Sequence, residues 1–184
     1  VTGKFTLNPF YWLHLTRLKR AFQWSCSYST WIVAIGEKMV REYSARFGGH
    51  YFIAMNTSPQ LNLPEYKPEN ETIKFVYAGN LGLNRWKMLA LIAECLVELN
   101  QENGLKGELS VYSLVDPGES ARAALNKPPF SCFKGALNTE ELTKVKSGAD
   151  VLVHVEAFDR TNRHITRLSI STKIPEYMAS GRCI

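Results

Sequence analysis

At 184 residues, 45% hydrophobic and 21% charged, the chain has the composition of an ordinary globular protein, able to bury a core in one domain or in one domain and part of another. Its net charge of +5 suits an anionic ligand or an anionic membrane surface, but the charge is too dispersed to argue for nucleic acid. No apolar run reaches the length of a membrane span and the N-terminal residues lack the parts of a signal peptide, so a cytoplasmic protein is expected.

In chain order, residues 8 or 9 to about 24 predict a helix in which Phe10, Leu13, Leu18, Ala21 and Phe22 alternate with cations such as Arg17. With Lys4, Lys19 and Arg20 this segment has a basic excess. Residues 4–20 therefore suit either peripheral contact with an anionic membrane or packing on their own domain. Residues 31–35 (WIVAI) have the length of a strand. Residues 36–47 follow as a helix, ended by Gly48 and Gly49, and residues 51–55 (YFIAM) form another strand. Composition changes over 56–70, where Pro59, Pro64 and Pro68 stand among polar residues that continue neither a helix nor a central strand. This gives a domain reading of 1–56, a linker at 57–70, and a second domain at 71–184.

The second domain is regular. Residues 72–78 (TIKFVYA) predict a strand and 79–84 (GNLGLN) a tight turn. Residues 85 to about 103 form a long helix with Leu89, Ile92, Leu96 and Leu99 inward. A strand at 107–113, a helix at 117–126 and a short strand at 130–133 come next. A helix then opens at Asn138 with a capping-box Glu141 and closes near Gly148. Residues 150–155 (DVLVHV) predict a fourth strand, followed by a long polar loop. The stretch 169–184 then reads as loop, short helix and the start of a strand. In it Ser171 or Thr172 would cap the helix, Pro175 fits the first turn, and Gly181 suits the left-handed position after the helix.

Strands alternating with helices at this spacing imply right-handed βαβ crossovers and a parallel sheet with helices on both faces, a Rossmann-like α/β fold. Ligands of such sheets sit beyond the carboxyl ends of the strands. The loops expected there carry Arg85, Lys134, Arg160, Arg163, Arg167 and Lys173, a cationic edge suited to a diphosphate. Lys173 and Glu176 lie three apart at a helix N-terminus. Read from the residues, they either hold the phosphate and hydroxyls of a nucleotide or merely complement the helix dipole and solvent. Cys26, Cys95, Cys132 and Cys183 are widely spaced and predict reduced, mostly buried thiols. His14, His50, His154 and His164 are equally scattered, so no metal site is expected.

The pieces FVYAGNLGLNR, GALNTEEL, SGADVLVHV and STKIPEYMASGRCI, in this order and at these separations, resemble the nucleotide-sugar-binding half of GT-B glycosyltransferases, specifically the large retaining family of bacterial polysaccharide enzymes. The resemblance covers residues 73–184 and, more weakly, 31–56. It implies transfer of a sugar from a nucleoside diphosphate sugar to a carbohydrate or lipid-linked acceptor, with no cofactor or metal. Gly79, Asn80 and Gly82 match the glycine turn beside the diphosphate, and Arg85 a basic residue on the same phosphates. Lys173 matches a lysine of the SxKxxEY subgroup, with Ser171 and Thr172 beside it. Glu176 matches the second acid of a glutamate pair that holds the ribose. Phe133 begins the 133–137 segment that contacts the base.

The first acid of that pair falls on Leu168, so Glu156 or Asp159 would have to approach the sugar, if neither is simply solvated. Against the family pattern, the chain stops before the closing strand and helices and lacks most of an acceptor domain, which predicts a piece of a longer enzyme. A sugar-nucleotide epimerase and a non-catalytic partner of the same fold are the alternative expectations.

Overall fold

The computed structural model describes residues 9–58, 71–102, 104 and 106–184. Most of the predicted linker, Lys4, and Asn103 at the end of the long helix lie outside these residues. The described residues divide into two compact units: those up to Asn56 with Arg163–Ser171, and Thr57–Asn162 with Thr172–Ile184. Residues 163–171, read from the sequence as part of the second domain, thus group with the first unit.

In the first unit, α1 (Pro9–Tyr28) is one turn longer than its pattern predicts, and most of its side chains are exposed, Cys26 being buried. β1 (Ile32–Ala34) and β2 (Tyr51–Ile53) pair in parallel, joined by α2 (Glu37–Phe47). Phe22 of α1 meets Tyr43 and Phe47 of α2 edge to face, at centroid distances of 5.5 and 4.8 Å. The predicted stop after α2 holds: Gly48 and Gly49 have φ of 65° and 94°, a left-handed backbone that glycine adopts without strain.

The second unit holds a four-stranded parallel sheet in the order β5-β4-β3-β6. Its strands are β3 (Ile73–Ala78), β4 (Gly107–Tyr112), β5 (Ser131–Gly135) and β6 (Val151–Leu152). Its helices are α3 (Arg85–Glu102), α4 (Glu119–Leu125), α5 (Thr139–Ser147) and α7 (Lys173–Ala179), and the boundary between units falls inside α6 (Arg160–Thr166). Alternate residues of the central strand enter opposite cores. Tyr77 packs with Leu89, Ala93, Leu96, Leu109, Val111 and Leu125 on one face, while Val76 packs with Ala149, Leu152 and Tyr177 on the other. Burying a leucine such as Leu89 or Leu152 contributes about 2 kcal/mol each.

Chain order reverses at β3. The first crossovers step from β3 to β4 to β5, and the next returns to place β6 on the opposite side of β3. The crevice beyond the carboxyl ends of β3 and β6 is therefore the topological switch point, where open parallel sheets receive ligands. Cys183 pairs in parallel beside Val151, and its carbonyl accepts from Leu152 N at 2.8 Å, as the predicted strand start requires.

Several expectations need correction. The ladder of β6 closes after two residues, although Val153 N still donates to Val76 O at 2.8 Å, because the chain then turns out to present His154 and Glu156. The polar loop contains α6, opened by Asp159, whose carboxylate accepts from Asn162 N at 3.0 Å. Thr172 takes the N-cap position of α7 but makes no capping hydrogen bond through its side chain. Thr172 has helical backbone angles, whereas Gly181 is left-handed as expected (φ 66°). The inward face of α3 uses Leu89, Ala90, Ala93 and Leu96, and leaves Leu99 exposed. Of the cysteines only Cys26 is buried; Cys95, Cys132 and Cys183 are exposed, since each falls on the solvent side of its element. The capping box of Asn138 and Glu141 is present in full.

Candidate functional site

The turn from β3 to α3 is built by its own polar groups. The Asn80 side chain accepts from Gly82 N at 2.6 Å, and a Cβ on Gly82 would lie 2.9 Å from that oxygen, so glycine is needed to close the turn. Tyr77 OH donates to Asn80 O at 2.7 Å from beneath, and burial pushes its phenol pKa up. Leu83 and Asn84 both take left-handed angles (φ 55° and 61°), and Asn84 is tied to Asp159 at 3.2 Å.

Lys173, the first residue of α7, reaches into this turn. Its Nζ lies 4.6 Å from the centre of the Tyr77 ring and 3.4 Å from Tyr77 OH. A Cβ on Gly79 would stand 1.6 Å from that Nζ, so the absence of a side chain at residue 79 makes room for the ammonium. Burial, and then the neighbouring charge of Arg85, lower the Lys173 pKa to about 8; Glu156 and Glu176 oppose the shift.

Arg85, at the first turn of α3, grips Glu156 in a forked ion pair: Nε at 3.2 Å, and one terminal nitrogen 3.0 Å from each carboxylate oxygen. Both side chains are partly buried. His154 Nε2 lies 3.9 Å from the same carboxylate, and its Nδ1 is buried without a hydrogen-bond partner. Burial lowers the His154 pKa, against the pull of Glu156. Glu176, one turn into α7, pairs with the buried Lys146 of α5.

The structure thus brings Gly79, Arg85, Lys173, Glu156 and Glu176 together at the switch point, and adds Tyr77, Lys146 and His154. Lys146 was legible in principle: with Leu142 and Val145 it falls at the inward i, i+3, i+4 positions of α5, where an unpaired lysine would be costly. Other expected residues stand apart. Thr172 is exposed and Ser171 groups with the first unit. Phe133, half-buried on β5, carries the Arg122 guanidinium 5.6 Å from its ring. Lys134 and Arg160 are exposed, while Arg163 and Arg167 group with the first unit, where Arg167 pairs with Glu42 of α2. Among the described residues no group of three or more His, Cys, Asp or Glu could hold a metal, and no helix is long and apolar enough to cross a membrane.

Beside the charged cluster opens a cleft of about 230 Å³, walled by Ala78, Gly79 and Asn80, by Tyr112 to Val115, and by Leu137 and Leu142. Its surface is almost wholly apolar. A second, more polar hollow runs along the outer side of the same turn, past Asn84, Trp86 and Asp116. Asp116 is already held there by Arg122 and Gly118 N.

No protein-family model matches the sequence, and no curated protein does. Among solved structures the chain is similar to TarM, with a TM-score of 0.56 and 14% identity over 74% of this chain and 27% of that one. It is also similar to an O-GlcNAc transferase mutant from Thermobaculum terrenum, with a TM-score of 0.45 and 15% identity over 82% of this chain and 36% of the other. The likeness to TarM establishes the fold, an α/β parallel sheet flanked by helices, of the GT-B type. The chain spans about a quarter to a third of the length of these two structures.

Proposed function

We propose that the second unit is the donor-binding half of a retaining glycosyltransferase, taking a nucleoside diphosphate sugar whose sugar passes to an acceptor hydroxyl in polysaccharide or glycolipid synthesis. The observation that carries this reading is the Lys173 ammonium seated over Gly79 at the switch point, beside Arg85. Two cations from elements far apart in sequence meet there, with a narrow apolar cleft alongside. In this reading the diphosphate lies across Gly79 to Arg85, where Lys173 and Arg85 stabilise the charge that builds on the departing group, and no metal is called for. The base enters the apolar cleft against Leu137 and Leu142. Glu176, fixed by Lys146, accepts from the ribose hydroxyls. No nucleophile is assigned, and acceptor recognition belongs to the rest of a longer protein.

A second reading, a partner subunit that binds the nucleotide without transferring, is favoured by one observation: Arg85 and Glu176 are each already engaged in an ion pair. Calorimetric titration of the chain with uridine, guanosine, UDP and GDP tests both. One diphosphate is expected to bind more tightly than its nucleoside. If none binds, the donor site is wrong. Binding by a full-length protein that fails to transfer from any sugar nucleotide would select the second reading.

A further inference from the structure

Glu156 occupies an unusual place. It comes from the irregular segment after β6, and its carboxylate takes both forks of Arg85 with His154 Nε2 at 3.9 Å. Lys173 also feels its charge. Two cations and a histidine therefore converge on a protein carboxylate at the switch point of the sheet. Glu156 caps no helix, and a third of its side chain remains open to solvent, so it can swing away without unmaking a core.

We infer that Glu156 is a built-in counter-ion that holds Arg85 until an anion displaces it, and so sets which anions the site accepts. The inference rests on the donor-site reading proposed above and deepens it. A planar carboxylate bidentate on guanidinium is the same recognition that a phosphate group offers. A ligand must therefore compete with Glu156 for Arg85, and its own negative charge is repelled by the carboxylate until that carboxylate moves. A diphosphate, which engages Lys173 and Arg85 together, can meet that competition. A neutral nucleoside gains nothing from Arg85 and leaves the pair closed. Glu156 thus makes the site selective for ligands that bridge both cations.

The opposite role, in which Glu156 merely orients Arg85 for the ligand, gives the opposite sign on mutation. Full-chain Glu156→Gln and Glu156→Ala proteins, first checked for a wild-type thermal transition, would be titrated with UDP, inorganic pyrophosphate and uridine. Both variants are expected to bind UDP and pyrophosphate about tenfold more tightly than wild type, with uridine unchanged. Adding Arg85→Met should erase the gain. If wild type binds UDP and both variants bind it equally or more weakly, Glu156 is no such counter-ion, though the donor site stands. If UDP and pyrophosphate bind neither wild type nor the variants, the inference and the donor-site reading fall together.

Discussion

The charged cluster and the apolar cleft meet at Gly79 and are built in opposite ways. The cleft is the work of neighbours: Ala78 and Tyr112 end β3 and β4 and Leu137 follows β5, so its walls come with the βα repeats themselves. The cluster is the work of distant residues. Arg85 and Glu156 are 71 positions apart, Lys146 and Glu176 are 30 apart, and Lys173 lies 96 beyond Tyr77. A fold can thus supply an apolar slot through its topology, while the charged groups beside it are added singly, each at a desolvation cost that its partner offsets.

Mutations should separate the two regions. The largest effect is expected from Lys173→Met, which should weaken UDP or GDP binding by about 1.5–3 kcal/mol and leave the nucleoside unchanged, measured by calorimetry. Equal losses for nucleotide and nucleoside would erase the distinction between cluster and cleft. Next comes Gly79→Ala, whose methyl group must displace the Lys173 ammonium. It should cost about 1–3 kcal/mol of diphosphate binding in the wild-type background and within about 0.5 kcal/mol of nothing beside Lys173→Met. Additive losses would mean that the glycine serves the ligand directly.

The pH dependence sharpens the same contrast. Lys173 in the free protein titrates at about 8, below its ordinary 10.5, because of burial and Arg85. An anionic ligand favours the charged form. Affinity for the diphosphate should therefore be level below about pH 7.5 and fall above 8, approaching about tenfold per pH unit, while Lys173→Met stays flat. The stability of the free fold moves the other way: the cost of burying the ammonium is full below about 8 and is relieved as pH rises toward 10.5. The smallest effect belongs to the cleft. Leu142→Ala should weaken nucleoside and nucleotide alike by about 1 kcal/mol through lost apolar contact.

Periodic segments were legible in the sequence because their patterns are local. The apolar run of β3, the apolar stripe of α3 and the Asn138–Glu141 box each state their structure within a few residues. Helix α6 was not legible as such, since its seven residues hold a single apolar side chain, Ile165, and so no apolar stripe. Its one local signal was Asp159 at the cap. Lys173, Glu176 and Arg85 could be singled out by their positions at helix starts. Which partner each would meet could not be read, because charge pairing between elements leaves no periodic trace. Glu156 read as a loop acid and Lys146 was not singled out, and only the three-dimensional chain shows which acid meets which base.

Helix α7 is seven residues long, too short to persist alone, and it is kept in place by buried Tyr177 and by the Cys183 carbonyl on Leu152. Its docking is among the contacts of greatest sequence separation in the unit, so the last wall of the site depends on the sheet beneath it. A small anion spanning Arg85 and Lys173 would join α7 to the turn between β3 and α3, acting as a strap across the fold. Its binding free energy would then appear as slower hydrogen exchange along α7, whose opening would require the anion to leave.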